Sequence, residues 1–540
     1  MNTQEILKFC FEKGFLLDSE VLNLFSETND AEAVKIILEK IRSHTNQKII
    51  TKNVFQKNRA IVNKFFMDLP RENQKKLEKL KINLGLSIEI SHESEIIDNF
   101  DNSKNSFVKN SEKIKTEKIN ENVEVSFQNP TPGKKLEVID FVKYFRNRFN
   151  KMREILQEHS ELDNLVSINK ILNDRSRVSV IGLVSEKRVT KNKNIILDIE
   201  DLTGTIRVLI NKDKKEIYEK AEEIALDSIV GFKGSGNREI LFANEVIFPE
   251  AILLTRKKSP KEEYALFIGD LHYGSKRFLE KSFLKFIDYL NGKVAGTKEE
   301  VEKIKYLIVA GDIITGVGNY PNQENDLKVM DLEEQYLQVA ELFRKIRSDI
   351  KIIISPGNHE GVRLMEPQPI FDEKYAWPLY ELDNVILVPN PSEVKIGLNK
   401  NFNGFNVLIY HGFSYFYYVN NVARLMKMKA ANSPEEIMKY LLRQRHLAPT
   451  HASVQYFPSV DTDYHLISNI PDILVSAHTH KSAVTYYNNI LLVSTSCWEA
   501  MTPYQEKFGN TPDHCKVPMV NLKTRSIKIL DFEEEEKIEV

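Results

Sequence analysis

Apolar residues recur at helical spacing near the start of the chain: Ile6, Leu7 and Cys10, then Val21, Leu22 and Phe25, then Val34, Ile37, Leu38 and Ile41. Such spacing puts them on one helix face, so residues 1–82 are expected to form a small helical N-terminal domain. Over residues 83–136 large apolar residues thin out and Asn, Ser, Lys and Glu dominate, which predicts a flexible charged linker. Residues 137–175 open with an amphipathic linking helix whose apolar stripe is Ile139, Val142, Phe145 and Phe149. The period then changes. SRVSVIGLVSEKRV, NIILDIEDLTGTIRVLI, DSIVGFKGSG and EILFANEVIFP are β-rich runs, and some five short strands within residues 176–255 suit a closed OB-like barrel. A β-sandwich fragment is the competing reading. Phe232 and Phe242 serve there as core or as stacking surfaces, and a structural role is preferred.

From Tyr264 onward the runs YALFIGD, YLIVAGD, KIIISPGN, NVLIYHG, DILVSAH and ILLVSTS are almost continuously apolar and alternate with helical or irregular stretches. Strands of this kind are covered on both faces. Residues 260–532 are therefore expected to form a layered α/β domain, with an acidic, solvated tail over residues 533–540.

Composition narrows the classes. The 540 residues carry a formal net charge of −2, which excludes a chain-wide basic coat; contact with nucleic acid must be local or shared with a partner. Cys10, Cys497 and Cys515 show no CxxC spacing, so neither a disulfide framework nor a zinc knuckle is implied. No apolar run approaches the roughly 20 residues needed to span a bilayer. The first residues, MNTQEILKFCFEKG, lack a basic leader. A cytoplasmic location is the expectation.

Five of the apolar strands end in polar residues of one chemical kind: Asp270-Leu-His272, Gly311-Asp312, Gly357-Asn358-His359-Glu360, His411-Gly412 and His478-Thr-His480. Sites in layered α/β domains form beyond the carboxyl ends of strands. Asp, Asn and His together offer mixed oxygen and imidazole donors, suited to Mn, Fe or Zn rather than to an all-oxygen calcium cage. Each motif alone has a plain reading, such as a Gly-Asp turn or a surface histidine pair. Together they collect five of the 12 histidines, each just after an apolar strand.

The order DxH, GD, GNH[ED], H and a GHxH-type ending resembles the calcineurin-like metallophosphoesterases, over roughly residues 264–530. Ala477 stands where that family usually has glycine. The resemblance implies a β-sandwich flanked by helices and a two-metal phosphodiesterase. It implies that Asp270, His272 and His480 hold one divalent ion, that Asn358, His411 and His478 hold the other, and that Asp312 bridges them. Manganese is the first expectation, with Fe, Zn or Mg as alternatives. His359 would sit over the phosphate and act as the catalytic group, while Glu360 orients a ligand or is a plain loop carboxylate.

The wider layout resembles the small subunits of archaeal family D DNA polymerases. That likeness implies a metal-dependent 3′→5′ proofreading exonuclease on single-stranded 3′ ends, which also scaffolds a large catalytic subunit. A catalytically inert structural subunit and a free-standing phosphodiesterase or nucleotidase remain as alternatives. Two stretches are candidates for shaping the substrate. Phe413, Tyr415, Phe416, Tyr417 and Tyr418 follow His411, and one or two of them are expected outside the core. Lys427, Lys429, Arg443 and Arg445 belong to a locally basic helical insertion suited either to phosphate-backbone contacts or to a solvated face. No second carboxylate site for nucleotide transfer is apparent, so polymerisation belongs elsewhere.

Overall fold

The computed structural model describes residues 3–18, 21–22, 25, 31–44, 49–50, 122–125, 136–173, 175–459, 462–507 and 509–534. The chain divides into two units, residues 1–112 and 113–540. In the first unit, helices Thr3–Glu12 and Ala31–His44 bury Ile6, Cys10, Val34, Ile37, Leu38 and Ile41 with Val21 and Phe25. These are largely the residues picked out by helical spacing. Unforeseen is a short parallel pair, β1 (Leu16–Leu17) and β2 (Ile49–Ile50). The helical reading of residues 51–82 lies outside the described residues, as does most of the expected linker.

The second unit contains the barrel. Strands β4 (Ser176–Val189), β5 (Ile195–Glu200), β6 (Thr205–Ile210), β7 (Ile229–Gly236) and β8 (Ile240–Ile247) close in the order β4-β5-β6-β8-β7. Gly234 and Gly236 let β7 approach β8 closely. A Cβ added at either would lie 2.3 Å from the Phe242 carbonyl oxygen or 2.1 Å from that of Ile240. Phe232 is core; Phe242 is exposed, with the Arg175 guanidinium 5.6 Å from its ring centroid.

Two six-stranded sheets form the layered domain. One runs in the order β12 (Val385–Leu387), β11 (Lys351–Ser355), β10 (Ile304–Ala310), β9 (Tyr264–Ile268), β18 (Lys516–Asn521), β19 (Ile527–Asp531). The other runs β16 (Ala483–Tyr487), β17 (Ile490–Ser494), β15 (Ile473–Ser476), β14 (Phe405–Ile409), β13 (Ser392–Ile396), β3 (Val123–Val125). Strands β9 to β12 are mutually parallel, as are β14, β15 and β17. Alternation along a strand builds the layers. Tyr306, Ile308 and Ala310 face Val407, Ile409 and Val475 between the sheets, whereas Leu307 and Val309 face helices Glu280–Leu290 and Leu332–Arg344. Leu408, Leu474 and Leu492 meet helix Pro434–Gln444 on the outer face of the second sheet. Both sheets are thus covered on both sides, which is why their strands read as unbroken apolar runs.

Two expectations change. Within the expected linker, Val123–Val125 is an edge strand: Val123 pairs with Ile396 and Val125 with Val394, while Lys395 grips Glu124 at 2.7 Å. Two valines are too short a signal to read from a polar stretch. In helix Val138–Gln157 the buried face is Tyr144, Arg148, Phe149, Met152 and Leu156, and Ile139 is exposed. The face is rotated because Arg148 points inward onto Asp463. The first two glutamates of the acidic tail are exposed, as a solvated tail requires, with Glu534 3.0 Å from Lys285 and Glu533 3.3 Å from His514.

Candidate metal centre

All seven expected ligands and His359 converge at the carboxyl ends of five parallel strands. Asp270 and His272 follow β9, Asp312 follows β10 and Asn358 follows β11; His411 follows β14, and His478 and His480 follow β15. The ladder continues past the strand ends, since Asp270 N donates to Gly311 O at 3.0 Å and His272 N to Asp312 O at 3.0 Å. Asp270, His272 and His480 form one group of donor atoms, Asp312, His411 and His478 a second, and His272, Asp312 and His359 a third. Within these, His272 Nε2 and His480 Nε2 are 3.1 Å apart. Asp312 Oδ2 stands 3.3 Å from His411 Nε2 and 4.0 Å from His272 Nε2. Asn358 Oδ1 is 3.0 Å from His411 Nε2.

Backbone geometry concentrates here. Asp270, His272, Asp312, His478 and His480 all have φ between 49° and 67°. Each left-handed non-glycine residue costs of the order of 1–3 kcal/mol, and such residues gather where a site demands them. Glycines supply the close approaches. A Cβ on Gly357 would fall 2.2 Å from Asp312 Oδ1, and one on Gly311 2.6 Å from His411 Nδ1. Ala477 is accommodated against Gly269, where an added Cβ would meet its methyl at 2.9 Å.

Neighbouring groups aim the ligands. His411 donates from Nδ1 to Ala310 O at 2.8 Å, which leaves Nε2 facing Asp312. Gln505 contacts His480 Nδ1 at 2.8 Å, and His478 N donates to Asp270 Oδ2 at 2.9 Å. Glu360 is buried and accepts backbone N–H bonds from Gly357 at 2.7 Å and Ile313 at 2.6 Å, so it ties the loop after β11 to the loop after β10. An exposed loop carboxylate is excluded. His359 donates from Nδ1 to Thr315 O at 2.8 Å, so its Nε2 is free to face the cluster.

Burial dominates the electrostatics. It pushes Asp270 well above the ordinary carboxylate range, with Asp312 adding a like charge. Burial also works on Asp312, but His411 and His359 outweigh it and hold that carboxyl well below the usual range. His411 is pushed up to about 10, because the Asp312 carboxylate overcomes its desolvation. His272 falls to about 3, and His478 and His480 fall well below the usual histidine range, through burial and then their histidine neighbours. Asp270 is thus a buried acid with no cation holding its charge, beside three imidazoles that burial keeps neutral and able to donate a lone pair. Asp270 Oδ1 is buried without a hydrogen-bond donor. The donor set fits two divalent cations with mixed N/O ligands.

The flanking stretches divide. Tyr415 and Tyr418 are core, while Phe413 and Phe416 are partly exposed with ring centroids 5.5 and 5.3 Å from that of His478. The basic insertion is mostly committed elsewhere. Arg443 pairs with Glu223 of the barrel segment, and Arg445 donates to Ile467 O at 2.9 Å and Ser468 O at 3.0 Å. Lys427 and Lys429 remain exposed. Sequence reasoning missed Gln505, Asn319 beside His359, and the buried Gln368 and Asn390. None of them sits in a recognisable motif.

Residues 265–482 match the calcineurin-like phosphoesterase family, and residues 178–239 match an OB-fold nucleic acid binding domain. Proteins named DNA polymerase II small subunit align over most of the chain. That of Pyrococcus furiosus is 38% identical over 410 residues, 74% of this chain and 65% of its own length. That of Methanothermobacter thermautotrophicus is 34% identical over 398 residues, 73% of this chain and 80% of its own length. That of Archaeoglobus fulgidus is 35% identical over 377 residues, 69% of this chain and 73% of its own length. The chain thus spans slightly under two thirds of the Pyrococcus furiosus subunit. Among the described residues no helix is long and apolar enough to cross a membrane.

Proposed function

Because this chain belongs to the archaeal DNA polymerase II small subunits, we propose that it removes nucleotides from single-stranded 3′ DNA ends and docks on a large polymerase subunit. The observation that carries the hydrolytic reading is the complete ligand set at the ends of five strands, its His and Asp donor atoms within 4.8 Å of one another in each group and Asn358 Oδ1 3.0 Å from His411 Nε2. A merely structural subunit has no use for five residues held in left-handed backbone at that spot.

Two divalent cations bound there, manganese first among the candidates, supply Lewis acidity and a water of lowered pKa. Asp270, His272 and His480 would hold one, and Asn358, His411 and His478 the other, with Asp312 between them. In the net reaction water would add to phosphorus as the bond to the 3′ oxygen breaks, giving a nucleoside 5′-monophosphate and a shortened strand. His359, whose Nδ1 donates to Thr315 O and whose backbone carbonyl accepts from Asn319 Nδ2, presents Nε2 to the phosphate and protonates the departing 3′ oxygen. Glu360 keeps the Asn358 and Asp312 loops in register.

The isolated chain should release mononucleotides from single-stranded DNA with manganese and none with a chelator. Metal uptake without any hydrolysis would favour the inert structural subunit. Cleavage of small phosphoesters but not DNA would favour a free-standing phosphatase or nucleotidase.

Phe413 and Phe416 are placed to stack an unpaired terminal base. Replacing both with alanine should raise KM for single-stranded DNA about tenfold, since stacking contributes roughly 1–3 kcal/mol per base. A small chromogenic phosphodiester should be cut at the unaltered rate; an equal loss on both substrates would sink the stacking role. Exposed Lys429, and Lys427 with only a 4.0 Å contact to Glu222, are better placed to meet phosphates than Arg443 and Arg445.

A further inference from the structure

A chain of buried polar groups runs from helix Val138–Gln157 to the metal centre. Arg148, 1% exposed, lies outside the layered domain in sequence. Its Nε meets Asp463 Oδ2 at 2.5 Å, its Nη1 donates to Pro449 O at 2.6 Å and its Nη2 to the Tyr144 hydroxyl at 2.9 Å. Asp463 also takes the Tyr144 hydroxyl at 2.7 Å and His446 Nε2 at 2.9 Å. Burial alone would raise the Asp463 carboxyl; Arg148 and His446 hold it well below the usual range. Asp463 Oδ1 accepts from the backbone N of His465, whose Nε2 reaches Glu366 Oε2 at 2.8 Å. Beyond Glu366 comes Asn390, with Nδ2 3.4 Å from Glu366 Oε1 and 2.7 Å from Gln368 Oε1. The far end touches the site twice. His411 N donates to Asn390 Oδ1 at 2.9 Å, and Gln368 Nε2 donates to Gly357 O, next to Asn358, at 2.7 Å.

We infer that Arg148 is a positioning residue for the Asn358–His411 pair, acting through Asp463, His465, Glu366, Asn390 and Gln368. The inference rests on the reading that this pair holds a metal ion. Buried networks of this kind are stiff when every member is satisfied. Both contacts at the site end fall on the backbone beside ligands of the same ion, and none on Asp270, His272 or His480. Docking of the linking helix therefore bears on one metal position and not on the other.

Arg148→Met combined with Asp463→Asn removes both charges and leaves no lone buried ion. Manganese binding by calorimetry should show two sites in the unaltered chain. In the folded double variant one site should weaken about 10–100-fold, the range for lost outer partners of metal ligands, and the other should keep its affinity. The kcat on single-stranded DNA should fall, KM should hold, and excess manganese should restore kcat. If the unaltered chain takes up no manganese, the two-metal reading itself fails. If it binds two ions and the folded double variant binds both with unaltered affinity, Arg148 serves the fold alone and the inference is overturned. Should the double variant not fold, Tyr144→Phe should weaken the same site at least threefold, and an unaltered affinity there overturns the inference equally.

Discussion

Replacing Asp312 with alanine is expected to abolish hydrolysis, by three orders of magnitude or more, in a protein that stays folded. The reason is positional. Asp312 Oδ2 lies toward both His411 and His272, which belong to different donor groups, and Oδ1 accepts the His359 backbone N–H at 2.8 Å. One substitution thus removes the carboxylate that the proposed pair of ions would share and frees the loop carrying His359. The fold should survive, because β10 is anchored by Leu307, Ile308 and Val309 between β9 and β11. Exonuclease rate, metal content and circular dichroism measured together decide it. A folded variant with a rate within tenfold of the parent would refute the bridging role.

His359→Ala has the second-largest expected effect, a loss of about two to four orders of magnitude in kcat with metal content unchanged. The distinction matters because His359 lies within ligand distance of His272 and Asp312, so geometry alone would admit it as a ligand. Against that, its ring is more open to solvent than those of His272 and His411. A variant stripped of one ion in elemental analysis would make His359 a ligand instead.

The ligands were legible because each sits within a few residues of an apolar strand, so the motif and the element that aims it are read together. The apolar strands and the five-stranded barrel are read from the same local periodicities, whereas the two-sheet layering follows from the family resemblance and the strand orders within the sheets, set by long-range pairing, were not foreseen. Other features depend on partners far apart in the chain. Arg148 and Asp463 are 315 residues apart, and no local pattern marks an arginine as buried. The basic insertion looked like a phosphate-binding face because its acids, above all Glu223, come from the barrel segment. The left-handed backbone at Asp270, His272, Asp312, His478 and His480 has no signature in residue type beyond the tolerance of aspartate.

The five strand ends that build the centre come from two different sheets. Asp270, His272, Asp312 and Asn358 hang from one, and His411, His478 and His480 from the other. Ions held by both sets would act as rivets across the sandwich, and no fragment lacking either sheet could assemble the pair. Because such ions bind only the assembled sheets, mass action makes them a stabilising weight on the folded state that grows with their concentration. A bound metal pair would then double as a proof of assembly: a subunit whose sheets have not docked cannot complete the centre on which the proposed hydrolysis depends.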